Sequence, residues 1–228
     1  NAVVAQAGEQ TESAMVSDGQ GGAIIAWFDD RNGNLDIYAQ RIAPDGSTVW
    51  TAGGVVICAA IGDQYGISMT TDGAGGAVIV WNDFRNGSNF DVYAQRISSN
   101  GIVQWAADGE AIVTAAGDQG APVVSVNNQG YAIIAWSDTR GGVNNDVFAQ
   151  SINMSGIVQW AIDGVAICTA SNDQFVSGIA DDGNSGAIIV WNDERSLPGD
   201  IYAQRIDQNG ASQWTMDGVV ICDAAGNQ

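Results

Sequence analysis

Lysine and histidine are absent from this sequence, so its seven cationic residues are all arginines. They stand against 26 acidic residues, which gives a formal net charge of −19. Such a chain has no basic patch that could neutralise phosphate groups, so we do not expect it to bind nucleic acid. It also has no apolar run close to the roughly 20 residues that span a bilayer, so we expect no membrane insertion.

The missing histidine also removes the commonest general base and metal ligand. Paired aspartates could serve a glycosidase, but in this sequence the aspartates recur periodically beside arginines. We therefore predict that the protein is not an enzyme, with a glycosidase as the less favoured alternative, and that it needs no cofactor.

Cysteine is scarce, and its positions follow a repeated phrase. Cys58, Cys168 and Cys222 close the phrases VVIC, VAIC and VVIC, and Val113 takes the same position in EAIV. Equivalent positions in separate units lie too far apart for a disulfide bond. We expect the three thiols to be small buried apolar groups.

The sequence is rich in one repeated pattern. The stretch WFDDRNGNLDIYAQRI returns three more times in altered form, and every tryptophan falls in one of two series with intervals of 54 or 55 residues. Four copies of one unit predict a repeat architecture, in which periodic tryptophans pack between neighbouring units. The two series are Trp27, Trp81, Trp136 and Trp191, and Trp50, Trp105, Trp160 and Trp214.

Each unit contains short apolar segments separated by turns rich in Gly, Asn and Asp, without a helical period. In the second unit GISMTTD, AVIVW, DVYAQRI and IVQWA are predicted strands. A four-stranded antiparallel unit that stacks on its copies is typical of a β-propeller blade. We therefore predict an all-β propeller domain over 1–228, with four blades near 11–64, 65–119, 120–174 and 175–228 and an overhanging connector at 1–10.

The two ends of the sequence repeat the same phase of the unit, because 1–10 matches 218–228. Three arrangements stay open: a closed four-bladed ring with one free end, two arcs that form one larger ring, or a piece of a longer tandem array. The sequence favours the second and third, so we expect self-association through the terminal blades. The chain opens without a signal peptide, as would a mature chain or an excised piece.

Every unit places an arginine in a loop between two aspartates. In a propeller this loop shares a face with the connectors between blades, and an arginine between two carboxylates predicts an ion pair that caps the loop. The residues concerned are Asp29, Arg31, Asp36, Asp83, Arg85, Asp91, Asp138, Arg140, Asp146, Asp193, Arg195 and Asp200.

Several aromatic residues lie outside the period, and we take them as candidate ligand contacts. They are Phe28, Tyr65, Phe84, Phe90 and Phe175.

A calcium site is a further candidate in the first unit. Asp30, Asn32, Asn34 and Asp36 alternate and offer hard oxygen ligands at a loop spacing, although the glycine position differs from that of an EF-hand. The other units replace Asp30, and the alternative interpretation is a hairpin loop rich in Asn and Asp.

The pattern DGAGGAVIVWNDFRNGSNFDVYAQRI followed by NGIVQWAADG resembles repeats in large secreted or surface proteins of bacteria. The resemblance implies export and a propeller fold but no activity. The third unit departs from it, because VFAQSI lacks the arginine of the third strand. A weaker similarity to sialidase propellers stops at the architecture.

Together these patterns favour an extracellular or cell-surface module that binds a glycan or a protein, or that mediates adhesion. The alternative function is a structural module of a surface assembly or filament. The aperiodic aromatics favour the first, and the repeated phase of the two ends favours the second.

Overall fold

The computed structural model describes residues 3–196 and 199–223. These residues form sixteen strands in four antiparallel sheets, each with four strands in sequence order. None of the described segments is a helix that could cross a membrane. The predicted all-β propeller of four-stranded blades is confirmed.

The strands are short, and the four sheets have nearly the same layout. Blade 1 contains β1 (Gln10–Ser17), β2 (Ala23–Asp29), β3 (Asp36–Ile42) and β4 (Val55–Cys58). Blade 2 contains β5 (Gln64–Thr71), β6 (Ala77–Asp83), β7 (Asp91–Ile97) and β8 (Glu110–Val113). Blade 3 contains β9 (Gln119–Val126), β10 (Ala132–Asp138), β11 (Asp146–Ile152) and β12 (Val165–Cys168). Blade 4 contains β13 (Gln174–Asp181), β14 (Ala187–Asp193), β15 (Asp200–Ile206) and β16 (Val219–Cys222).

The predicted position of the fourth strand of each blade was wrong. In blade 2 the predicted IVQWA makes only an isolated bridge, between Val103 and Ile97, and the strand is EAIV instead. The side chain of Gln95 explains the difference, because it accepts a hydrogen bond from the Trp105 N–H and donates one to the Ala106 carbonyl. These bonds satisfy the backbone at the tryptophan without a strand partner.

The antiparallel order gives the blades two distinct ends. The turns between first and second strands lie at one end, which we call the tight-turn face. The loops between second and third strands lie at the other end with the connectors between blades, and we call this the loop face. In blade 1 the Asp18 carboxylate caps its tight turn by accepting from the N–H groups of Gln20 and Gly22, both at 2.8 Å.

Three apolar cores hold neighbouring blades together, and each is built from two blades. Ile24 and Ile37 of blade 1 pack with Ile79 and Trp81 of blade 2. Equivalent clusters join blade 2 to blade 3 and blade 3 to blade 4. The second strands are apolar on both faces because each face meets a neighbouring blade.

The described residues contain no fourth core that joins blade 4 to blade 1. Ile221 in β16 is 60% exposed, whereas its equivalents Ile57, Ile112 and Ile167 are 1%, 2% and 3% exposed. Within the described residues, side chains that are buried between inner blades are therefore open to solvent on the outer faces of blades 1 and 4.

Candidate functional site

The repeated pattern on the loop face forms a closed set of contacts within each blade. In blade 2, Arg85 donates from Nε and Nη2 to the two carboxylate oxygens of Asp83, at 2.8 and 2.6 Å. The Trp81 indole donates to the same carboxylate at 2.8 Å. The guanidinium lies 3.7 Å from the ring centre of Tyr93, which in turn stacks on Trp81. Each group thus holds the next in place.

The ion pair, the indole bond and the cation over an aromatic ring recur in all four blades. In blade 3 the ring is Phe148, and Arg140 donates to Asp138 from Nη2 while its buried Nε has no hydrogen-bond partner. The aspartate is fully buried in each, and the arginine side chain is about one-fifth exposed. Burial acts to raise the pKa of Asp193, but hydrogen bonds from Arg195 and Trp191 outweigh it and lower that pKa. The ion pairs are Arg31–Asp29, Arg85–Asp83, Arg140–Asp138 and Arg195–Asp193.

The second aspartate of the loop has different partners. Asp36 accepts from the side-chain amides of Asn32 and Asn34, at 2.7 and 2.8 Å. Asp91 likewise accepts from two asparagines of its own loop. Burial raises the pKa of both aspartates. The arginine therefore pairs with the first aspartate, and the described contacts of Asp146 and Asp200, the second aspartates of blades 3 and 4, include no ion pair.

Three of the four candidate calcium ligands, Asn32, Asn34 and Asp36, form hydrogen bonds with one another. Both oxygens of Asp36 accept from asparagine amides, and Asp30 accepts from the Glu9 N–H at 2.7 Å. In the described part of the chain, no three acidic, cysteine or histidine side chains come together as a metal site. Calcium would have to replace the amide donors of Asn32 and Asn34, and its binding stays a prediction.

Four of the five aperiodic aromatics lie together on the loop face, between blades 1 and 2. Tyr65 contacts Phe28 and Phe90 edge to face, with ring centres 6.3 and 5.9 Å apart, and Phe84 lies 5.1 Å from Phe90. Phe28 is buried in the core between the two blades. Tyr65 provides an exposed edge of this cluster, with its hydroxyl hydrogen-bonded to Asp63.

Phe175 lies apart from this cluster, in blade 4. It occupies in β13 the position that Tyr65 occupies in β5, and it is also exposed. The loop face thus presents two separate aromatic side chains beside the first strands of blades 2 and 4.

The second tryptophan series joins each blade to the next. Trp50 and Trp105 are buried, and their indole N–H groups donate to the main-chain oxygens of Ser99 and Met154. Trp160 donates to Gln208 but is only partly buried, and Trp214 is 37% exposed. Packing between blades therefore explains why Trp50, Trp105 and Trp160 recur at this position of the repeat.

A cavity on the tight-turn face was not predicted from the sequence. It lies between blades 3 and 4 and has a volume of about 220 Å³. Asn127, Tyr131 and Ser151 line it, at positions where the other units have Asp, Gly and Arg. An alignment of the four units shows all three changes, and one of them is the missing arginine of VFAQSI.

Solved structures share this fold at low sequence identity. A protein provisionally named TolB from Agrobacterium tumefaciens is 16% identical with a TM-score of 0.52, over 95% of this chain and 69% of that one. A family 117 glycoside hydrolase of the marine bacterium Zobellia galactanivorans is 8% identical with a TM-score of 0.53, over 94% and 70%. A Hadza microbial sialidase is 10% identical with a TM-score of 0.54, over 90% and 46%.

No protein-family model matches the sequence, and comparison with curated proteins finds no significant similarity. The solved structures support a repeat-built propeller but do not identify the type of repeat. The resemblance to repeats of secreted bacterial proteins therefore stays a prediction.

The prediction that the chain is not an enzyme was wrong, because glycoside hydrolases share its fold. That prediction rested on the missing histidine and on aspartates that recur periodically beside arginines, yet glycoside hydrolysis needs no histidine and only two suitably placed carboxyl groups. At the identities observed, the likeness shows the fold and transfers no activity.

Proposed function

We propose that this protein is an extracellular or cell-surface propeller module that assembles end to end through its first and last blades. The observation that carries the proposal is the exposure of side chains at both ends that every inner blade buries. Exposed apolar faces of this kind mark interaction surfaces.

The face of blade 4 supplies one half of the interface. Ile221 and Trp214 are exposed there, although their equivalents in blades 1 and 2 are buried. Ile188 and Val190 are partly exposed, whereas the corresponding Ile24 and Ala26 of blade 1 are fully buried against blade 2. These side chains are apolar because the repeat provides them for contact with a following blade.

The face of blade 1 supplies the other half. Met15 is exposed and Ile25 is partly exposed, whereas Ile79 at the equivalent position in blade 2 is fully buried. A cleft of about 290 Å³ lies here, between Val3, Val4 and the exposed side of β1 and β2. It lies on the side of blade 1 that a preceding blade would cover.

The two faces are complementary in detail. Gly101, Gly156 and Gly210 each lie against the tryptophan of the preceding blade, so tightly that an added Cβ would meet the indole ring at 2.8 to 3.0 Å. Gly46 is the equivalent residue of blade 1, and nothing lies within 4 Å of the same point. Among the described residues, Trp214 has no glycine of a following blade against its ring. Gly46 of another molecule could take that position.

This complementarity favours a partner blade of the same repeat type, which a second copy of the chain would provide. The contact is heterologous, because one end of a molecule meets the opposite end of the next. The three internal interfaces, which join equivalent faces of neighbouring blades, support this proposal. An unrelated protein would have to reproduce that fit.

Light scattering over a concentration series tests the proposal. We expect dimers or longer assemblies, and we expect Ile221→Asp to shift them to monomers because it places a charge in the apolar interface. Val143→Asp is the matched control, since Val143 is 95% exposed in a loop of blade 3. A protein that is monomeric at every concentration would contradict the proposal.

Ligand binding at the loop face is a second candidate function. It is favoured by the exposed rings of Tyr65 and Phe175, which break the repeat beside the first strands of two blades. A glycan or a protein loop could pack against such rings. Loss of ligand binding in Tyr65→Ala, with assembly unchanged, would separate this function from the first.

A further inference from the structure

We propose that the cavity between blades 3 and 4 on the tight-turn face binds a neutral saccharide. The inference does not depend on end-to-end assembly, because neither open end face lines this cavity.

Three of the four blades carry an ion pair at this position. Arg41 pairs with Asp18 at 2.8 Å, and Arg96 pairs with Asp72 at 2.9 Å. Both arginines extend across to the following blade, where each donates to the same main-chain oxygen as the tryptophan of its own blade. The guanidinium thus fills the space between two blades beside an indole ring. Blade 4 has the same pair, Arg205–Asp182.

Blade 3 lacks this ion pair because three residues differ together. Asn127 replaces the aspartate, Ser151 replaces the arginine, and Tyr131 replaces the last glycine of the tight turn. The turn itself is kept, since Asn127 still accepts from the Gln129 and Tyr131 N–H groups at 3.0 Å. The serine hydroxyl is too short to reach blade 4, so the space that the guanidinium fills elsewhere is open here.

The cavity that results has a buried floor and an aromatic wall. Ser151 and Asn127 are 3% and 7% exposed, and they form the floor. Trp160 and Tyr131 contribute rings at the side, and both rings are partly open to solvent. The other units have glycine where blade 3 has Tyr131, so they have no aromatic side chain at this position: Gly22, Gly76 and Gly186.

The lining selects a neutral ligand. All its side chains are uncharged, and Gln129, Gln208 and Asn209 add amide groups at the rim. A cation would lack the carboxylate that Asn127 replaces, and an anion would be repelled by a chain with net charge −19. Aromatic rings together with amide donors and acceptors suit a molecule that has apolar C–H faces and many hydroxyls.

The size of the cavity points to a small ligand. At about 220 Å³ it is smaller than the 300 to 1,000 Å³ typical of sites for drug-sized molecules. One sugar ring, free or at the end of a longer glycan, matches this volume and this chemistry.

Ligand-observed NMR on the whole chain provides the test. The probes are the methyl glycosides of glucose, galactose, mannose and N-acetylglucosamine, with glucosamine and glucuronate as charged counterparts. We expect at least one neutral glycoside to bind with a Kd of about 1 mM or tighter, and more tightly than either charged sugar. Absence of any neutral binder, or preference for a charged sugar, would overturn the proposal.

Restoring the ion pair should close the site. Asn127→Asp combined with Ser151→Arg places the missing guanidinium in the cavity, and we expect affinity to fall at least about tenfold. The aspartate also loses the bond that the Asn127 amide donates to the Ser185 main-chain oxygen at 2.7 Å, so the melting temperature is measured alongside. The control is Asn100→Asp with Ser47→Arg, which makes the same charge changes on exposed turns. Undiminished binding in the filled variant would disprove the assignment of the sugar to this cavity.

A second variant keeps the test decisive if the filled variant folds poorly. Tyr131→Gly restores the residue that the other three units have, so the turn should tolerate it, and it removes one aromatic wall. We expect weaker binding of the same glycoside with unchanged thermal stability. Equal affinity with and without the tyrosine ring would count against the proposed stacking.

Discussion

At the scale of single residues, the repeated loop pattern is explained by one buried carboxylate in each blade. Asp83 receives the Trp81 indole and the Arg85 guanidinium, and Tyr93 covers the cation. A buried ion pair of this kind adds little net stability compared with apolar packing, but it makes each member indispensable to the other. That dependence accounts for the recurrence of Trp, Asp, Arg and an aromatic as a set.

Arg85→Ala should destabilise the protein by ~3–5 kcal/mol, because it leaves the fully buried Asp83 carboxylate without its cation. Urea unfolding followed by tryptophan fluorescence measures the change. Arg85→Lys is the graded control: it keeps the charge but loses the bidentate geometry, so it should fall between Ala and wild type. A loss below about 1 kcal/mol for Arg85→Ala would show that the ion pair is dispensable.

The aspartates also predict how stability depends on pH. Burial raises the pKa of Asp36, Asp91 and Asp146, so their protonated forms favour folding. That contribution is full below the unfolded pKa and is lost as the pH rises through the raised folded pKa. The pKa values of Asp29 and Asp193 are lowered, so their contribution is present above the unfolded pKa and is lost as the pH falls through the folded value.

We therefore expect the melting temperature to rise as the pH falls from neutral toward about 3.9, the unfolded pKa of aspartate, and to drop as the pH falls further. The magnitude of the negative net charge decreases as the pH falls from neutral, which reduces self-repulsion and also raises the melting temperature. Scanning calorimetry at several pH values provides the measurement. A melting temperature that decreases steadily from neutral pH downward would contradict this assignment of the shifts.

At the scale of the strands, the sequence was sufficient to predict the number of blades and their first three strands, but not the position of the fourth strand. Alternation and turn residues identify a hairpin, and the period identifies its copies. The fourth strand was misplaced because Gln95 uses its side chain, rather than a neighbouring strand, to satisfy the backbone near Trp105. Side chains that substitute for backbone partners leave no periodic signal.

The choice among partners was also beyond the sequence. Each arginine lies between two aspartates in the sequence. Only the structure shows that Arg85 forms its ion pair with Asp83, whereas Asp91 accepts hydrogen bonds from Asn86 and Asn89. The three residue changes that open the cavity between blades 3 and 4 are visible in the sequence. That Ser151 leaves a space there follows only from the structure, in which blade 4 packs against blade 3.

The tryptophans that join blades give a prediction at this scale. Trp105→Ala should cost ~3–5 kcal/mol, because the indole is buried, donates to Met154 and fills the space beside Gly156. Trp214→Ala, the matched substitution in blade 4, should cost about 1 kcal/mol or less in the monomer, where the ring lacks a following blade. Equal costs, measured by denaturant unfolding at low protein concentration, would mean that Trp214 is already packed.

At the scale of the whole molecule, the described blades form a repeat array in which three inner interfaces are packed and the outer faces of blades 1 and 4 are exposed. Each inner interface combines an apolar core, a tryptophan seated on a glycine, and polar contacts around the end of the fourth strand. Stability in such arrays is a sum of blade and interface terms, so an added interface stabilises both molecules that share it. The assembly we propose would therefore raise thermal stability with concentration.

The cysteines offer an internal measure of that assembly. Cys58 and Cys168 lie at inner interfaces, where Arg85 and Arg195 of the following blades donate to their sulfur atoms. Burial raises the pKa of both thiols to about 12, so neither should be alkylated at neutral pH. Cys222 occupies the same position at the open end of blade 4, where it is only partly buried.

In a head-to-tail contact, Cys222 would lie against the Asp29–Arg31 pair of the next molecule and become protected. We expect iodoacetamide to modify it in dilute protein and progressively less as the concentration rises, with Cys58 and Cys168 unmodified throughout. Ile221→Asp should abolish this protection because it prevents association, whereas Val143→Asp should leave it intact. Peptide mass spectrometry distinguishes the three thiols. If Cys222 reacts at the same rate at every concentration, blade 4 is not covered by a second copy.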